Sequence, residues 1–492
     1  MAQRSATLRG HEIPLDLHIG GEWVSTDSTY EVTNPADGTV IAEMTSGGVD
    51  HAERAMAAAA AAQDEWTGWA PRARADLMHR AHRLMLERED AFVETMTLES
   101  GKPVAEAKGE FALSASFFLW FAEQVAHLHG TYAEGSNGGY RIIVGHRPVG
   151  PAYLVTPWNF PLLMSARKAG AALGAGCTIV MKTARDTPLT QALFVKVLVD
   201  AGFPAGVVNL IHTSQTGDVS TRIMNDHRLR KVSFTGSTGV GAQLMAQAAP
   251  GVVNASMELG GDGPFVVLDD ADVDLAVREA VACKFRNAGQ ACVAANRIIL
   301  HRDIAEEFTE KFVAAAKQLT VGDGFDEKTN VGPVISDRQR QRVSALINQF
   351  VDAGAEVLLG GNPVEGPGYF FEPTVMNLTS ERFDFCNDEM FAPVAALYTV
   401  DSTAEALEFA NDTTYGLAAY LFTGDVSRAF TIGERLEFGM VGINRGIMAD
   451  PAAPFGGTKM SGIGREAGQD GIYEFLEPHY MALTVDEKGA LA

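Results

Sequence analysis

Cysteine and positive charge are both scarce in this 492-residue chain. Its four cysteines, Cys177, Cys283, Cys292 and Cys386, include no C-x-x-C pair. That argues against a disulfide scaffold, a zinc site and a thioredoxin-type motif, and no metal centre is expected. Lysine and arginine total 39 against 62 aspartate and glutamate, a net charge of −23. A chain so acidic lacks the basic stripe that displaces counterions from nucleic acid, and it is repelled by anionic membranes. No run approaches the ~18 apolar residues that span a bilayer. The opening MAQRSATLRGHEIPLDLH has no apolar core of signal-peptide length. The expectation is therefore a cytoplasmic protein with neither nucleic acid nor membrane as partner. Tandem repeats and low-complexity linkers are also missing, which points to interlocking domains. What is present is apolar residue, 46% of the chain. That excludes disorder and suggests roughly two to three domains with large cores.

Patterning predicts an α/β protein. Short strands come first, including His18–Val24. Asp50 and Glu53 have capping-box spacing, and the alanine run Ala55–Ala62 predicts a buried or half-buried helix behind them. Residues 72–100 read as an amphipathic helical stretch; His79 and His82 there lie on a solvated face with no ligand set to join them. From residue 150, strands alternate with helices. Strands are expected at 152–155, 177–181, 207–211 and 231–234, with a helix at 189–201. A second such run spans 262–445, with helices at 273–285 and 305–319. This alternation argues for parallel sheets covered by helices.

Three motifs carry chemistry. Phe234-Thr-Gly-Ser-Thr-Gly-Val-Gly241 lies between a strand and a helix expected at 242–248, where backbone N–H groups cradle phosphate. Its spacing is not G-x-G-x-x-G, so a tight turn needing glycine explains it equally well. Cys292, in Gly289-Gln-Ala-Cys-Val293, is a nucleophile or a buried inert thiol. Glu258, in Ser256-Met-Glu-Leu-Gly-Gly261, is a lone carboxylate among apolar neighbours, where burial raises a pKa toward proton work.

Taken in order, Thr156-Pro-Trp-Asn-Phe-Pro161, the glycine turn, Met-Glu-Leu-Gly-Gly, Gly-Gln-Ala-Cys, Glu389-Met-Phe-Ala-Pro-Val394 and Pro454-Phe-Gly-Gly457 resemble the aldehyde dehydrogenase superfamily. The likeness runs from about residue 18 to 483. It implies Cys292 as nucleophile, Asn159 as oxyanion donor and Glu258 as the base that hydrolyses a thioester rather than passing it to coenzyme A. It implies cofactor contacts from Thr156, Pro157, Trp158, Lys182, Gly236, Ser237, Leu259, Glu389 and Phe391. It implies a Rossmann-like cofactor domain (1–127 and 147–258), a β oligomerisation arm (128–146), an α/β catalytic domain (259–455), and a return segment (456–492) whose strand near Tyr480–Val485 completes the arm. A homodimer or homotetramer is expected.

Within the family the chain most resembles the succinate-semialdehyde dehydrogenases. Ala166–Cys177, Lys284–Gln290 and Ser461–Glu466 carry that likeness. It places two substrate-carboxylate arginines on Arg167 and Arg286, with Phe160 and Phe455 walling the tunnel; the alternative is that these arginines pair with protein carboxylates. Three positions depart from the pattern. Lys182-Thr-Ala-Arg185 has arginine where a ribose-gripping glutamate is usual. NADP is thus expected to be preferred over NAD, because guanidinium pairs with a 2′-phosphate. Ala392 replaces a glycine. Ala449 replaces a serine that would bond the substrate carboxylate, which leaves glutarate semialdehyde and other ω-oxo acids open beside succinate semialdehyde. A broad neutral-aldehyde dehydrogenase is the further alternative. Ala294 stands where some relatives carry a second cysteine, so no redox switch is expected.

Overall fold

The computed structural model describes residues 4–378 and 389–485; Cys386 lies outside them. Among these residues two large sheets share the chain. One has eight strands and is drawn from residues 17–258 together with 462–463. The other has seven strands and is drawn from residues 263–443.

In the first sheet the strand Ala152–Val155 is central. Ile179–Lys182 and Val208–Ile211 follow in parallel on one side. The chain then returns to lay Lys231–Thr235 and Asn254–Glu258 on the other. The reversal makes a switch point between Ala152–Val155 and Lys231–Thr235. A crevice opens outside the carboxyl ends of strands at such a point, where ligands bind. Thr156 and Gly236 flank it. The helix Pro161–Ala175 starts with proline at its first turn and stops at Gly176, whose φ of +96° is easy only for glycine.

Five residues after Glu258 the chain enters the second sheet with Gly263–Val267. Ala295–His301 and Val394–Val400 lie parallel beyond it. Cys292 and Glu389 precede those two strands. The amino ends of one sheet's strands therefore meet the carboxyl ends of the other's. Gly261 permits the closest approach: a Cβ there would stand 2.4 Å from the Cys292 carbonyl oxygen.

A separate antiparallel sheet joins Thr131–Glu134, Tyr140–Pro148 and Leu476–Thr484. Its last strand begins four residues before the expected Tyr480.

Helices Leu189–Ala201 and Val273–Phe285 match expectation residue for residue. Several readings need correction. The alanine-rich helix spans Val49–Gly68, and its cap is Gly48 rather than Asp50; the His51 ring accepts the Gly48 N–H at 3.3 Å. Asp50 instead sits in the first turn, where the helix dipole favours it. The 72–100 stretch is two helices, Pro71–Glu87 and Glu89–Ser100, because Arg88 leaves helical geometry at φ −115°, ψ 22°. The helix after the glycine turn starts at Thr238, so Gly239 and Gly241 are helical and only Gly236–Ser237 form the turn.

Candidate active site

Cys292 follows three consecutive left-handed residues, Asn287 (φ +52°), Ala288 (φ +53°) and Gly289 (φ +71°). Such backbone is costly for asparagine and alanine and persists only where neighbours hold it. Gln290 is one such neighbour. Its side chain donates to the Asn287 carbonyl at 3.0 Å and accepts the Ile335 N–H at 2.9 Å.

One cavity of about 280 Å³ gathers much of the expected site. Cys292 and Asn159 line it with Pro157, Trp158, Gly236, Ser237, Leu259, Glu389 and Phe391. Trp158 and Phe391 meet edge to face, ring centres 5.5 Å apart. Arg342, which no sequence motif singled out, also lines it and donates to the carbonyls of Glu389 (2.8 Å) and Met390 (3.2 Å). Glu258, Thr156, Lys182, Arg185, Arg167, Arg286, Phe160 and Phe455 are not among the cavity's lining.

Burial sets the resting protonation states. The Cys292 thiol is pushed up to about 12, chiefly by desolvation and secondarily by the Glu389 carboxylate. The Arg167 and Arg286 charges pull it the other way, so both guanidinium groups act on the same sulfur. Glu258 is raised well above the usual carboxylate range by burial and then by the nearby Glu466. Neither of its oxygens has a hydrogen-bond partner among the described residues. Burial thus favours the protonated form of both thiol and carboxyl before ligands arrive. Burial also lifts Glu389 to about 7, even though the Gly261 N–H donates to it at 3.2 Å.

The two arginines differ. Arg167 is buried, its Nε 2.6 Å from Glu466 Oε2, and its guanidinium stacks on Phe455 at 4.2 Å. Lys168 bonds the other oxygen of Glu466 and reaches Ser233 Oγ at 2.9 Å. The protein-carboxylate alternative therefore holds for Arg167. Arg286 is half-buried, lies 5.4 Å from the Phe160 ring, and has no carboxylate within 4.0 Å among the described residues. Glu466 closed the motif Ser461–Glu466 in the sequence, but nothing there announced that it bridges two cations.

The crevice suits a dinucleotide. Ser237 caps the eleven-residue helix Thr238–Ala248 without a side-chain bond, leaving that N-terminus free of a local anion. Lys182, buried at the end of its strand, donates among the described residues only to the Thr183 carbonyl, at 2.9 Å; burial lowers its pKa to about 8. Arg185 is exposed, 5.9 Å from the Tyr30 ring. The Leu259 N–H is taken by the Ser461 carbonyl at 2.9 Å, so a backbone contact to a ligand must come from the Leu259 carbonyl. Cys177 and Cys283 are buried, with pKa values raised by desolvation, consistent with inert core thiols. No cluster of three metal-binding side chains exists, and no helix is long and apolar enough to cross a membrane, among the described residues.

Comparison with known proteins covers almost the whole chain. The model of the aldehyde dehydrogenase family matches residues 23–481. A succinate-semialdehyde dehydrogenase of Paenarthrobacter nicotinovorans is 47% identical over 90% of this chain and 99% of its own length. A glutarate-semialdehyde dehydrogenase of Pseudomonas putida is 43% identical over 95% of this chain and 97% of its own. The crystal structure of an NADP-dependent enzyme from Escherichia coli superposes with a TM-score of 0.94 at 41% identity, covering 96% of this chain and 98% of that one.

Proposed function

The chain belongs to the aldehyde dehydrogenase family, and we propose that this NAD(P)-dependent enzyme oxidises a small aldehyde with an anionic tail, succinate semialdehyde foremost. The observation that carries the reading is Arg286, a half-buried guanidinium against an aromatic ring with no carboxylate within 4.0 Å among the described residues, Glu106 acting on it only from farther off. A substrate carboxylate supplies that partner through charge-assisted bonds. Arg167 contributes only the edge that Glu466 leaves unused. Relatives acting on the C4 and C5 semialdehydes are similarly close. Ala449 adds no hydroxyl anchor, so glutarate semialdehyde is the second substrate to test.

In this reading Cys292, once deprotonated, attacks the aldehyde carbon, and the Asn159 amide stabilises the oxyanion of the thiohemiacetal. NAD(P)+ supplies the hydride acceptor. Glu258, as the carboxylate, then takes a proton from the water that hydrolyses the thioester. Glu389 holds the nicotinamide ribose, and Lys182 the adenosine ribose. Arg185 has no carboxylate within 4.0 Å among the described residues, which supports pairing with a 2′-phosphate and a preference for NADP.

A homodimer or homotetramer is part of the proposal. The strand Leu476–Thr484 is a sheet edge and exposes Tyr480, Met481 and Leu483. Cytoplasmic residence belongs to it too. The test is kcat/KM for succinate semialdehyde, glutarate semialdehyde and butanal with each cofactor. Butanal outpacing both semialdehydes overturns the anionic-tail assignment.

A further inference from the structure

The helix Val104–Gln124 belongs to none of the motifs, yet its first turns send charged groups to both catalytic loops. Glu106 and Glu110 are four residues apart and so share a face, and Lys102 stands just ahead of them. Glu110 takes the N–H groups of Leu162 (3.0 Å) and Leu163 (3.2 Å) with one oxygen and binds buried Lys102 with the other. Lys102 Nζ also donates to the Asn159 carbonyl at 2.8 Å. Glu106 accepts the Asn287 N–H with both oxygens, at 2.8 and 3.1 Å. The Asn287 side chain then closes the gap, donating to the Asn159 carbonyl at 3.1 Å and the Gln290 carbonyl at 3.2 Å. Asn159 Nδ2 reaches the same Gln290 carbonyl at 3.0 Å.

We propose that Lys102, Glu106 and Glu110 are positioning residues that splint the loop bearing Asn159 to the loop bearing Cys292, keeping oxyanion donor and nucleophile in register. The inference rests on the proposed roles of those two residues. A buried Lys–Glu pair is a poor source of stability compared with apolar packing, so stability alone does not account for it. Lys102 and Glu106 each land on one loop or the other, and Glu110 ties Lys102 to the first turn of the helix that follows Asn159. Glu106 also grips the left-handed segment, which would otherwise relax. Small displacements of reacting groups are costly in rate.

The test is cofactor-free hydrolysis of p-nitrophenyl acetate, which needs Cys292 and an oxyanion donor but no assignment of the natural aldehyde. Lys102→Met is expected to lower kcat about tenfold or more with little change in KM, and Lys102→Arg to restore most of it. In an Asn159→Ala background, Lys102→Met should cost almost nothing further, because residues acting as one unit are non-additive. A full multiplicative loss in the double variant overturns the splint. Lys102→Met/Glu110→Gln removes the pair together and avoids a lone buried charge. If it folds with wild-type kcat, the proposal also fails. Ester hydrolysis that survives Asn159→Ala unchanged instead refutes the role of Asn159, and the splint with it.

Discussion

Replacing Arg286 by alanine separates recognition of the substrate's tail from chemistry at its aldehyde. The guanidinium has no carboxylate within 4.0 Å among the described residues, so a substrate carboxylate need displace no partner. Each charge-assisted bond contributes about 1.5–3 kcal/mol, and the Phe160 ring shields one face from water. Half-exposure of the group argues for the lower end across two bonds, about 3 kcal/mol in all. At 1.36 kcal/mol per decade, kcat/KM for succinate semialdehyde should fall about a hundredfold or more. Butanal, of equal length and uncharged, should lose less than about threefold. Arg167→Ala behaves differently: it deprives Glu466 of a partner 2.6 Å away and removes a charge that acts on Glu258 and Cys292, so both substrates should suffer. The assay is initial-rate formation of reduced cofactor with the two aldehydes. Equal losses on both in Arg286→Ala refute the reasoning.

Arg185→Glu should lower kcat/KM for NADP at least about tenfold while sparing NAD, measured with both cofactors; an unchanged ratio removes the role of Arg185. Glu389 ionises near 7, so the cofactor KM should rise as pH falls from 8 to 6, where the carboxylate gains a proton and stops accepting ribose hydroxyls; Glu389→Gln should flatten that dependence. Glu258→Gln should leave one burst of reduced cofactor per site and then stop, since the thioester forms but is not hydrolysed; steady turnover would contradict it. Glu466→Ala strips the carboxylate from two buried cations and should destabilise the fold by about 3–5 kcal/mol in urea unfolding.

Much of the site is legible because its chemistry is local. Thr156–Pro161, Gly236–Ser237, Glu258–Gly261 and Cys292 each sit at a strand end within one short motif, and turn chemistry confines the residue types allowed there. Helices with clear periodicity, such as Val273–Phe285, were equally readable. Boundaries that depend on packing were not. Arg88 breaks a continuous periodic stretch, and Gly48 displaces Asp50 as cap.

The amino-acid sequence by itself determined the α/β class and the family and named candidates for the reacting side chains, because periodicity and short motifs are properties of neighbouring residues. Only the tertiary structure decided which charges are free. Arg167 and Arg286 look alike in sequence. Glu466, 299 residues after Arg167, pairs with the first, while the second has no carboxylate within 4.0 Å among the described residues. The same holds for Lys102, Glu106 and Glu110, which read as an ordinary charged helix start until the fold brings Asn159 and Asn287 against them. Ion pairing depends on distances of a few ångströms across the fold, and sequence separation carries no record of them.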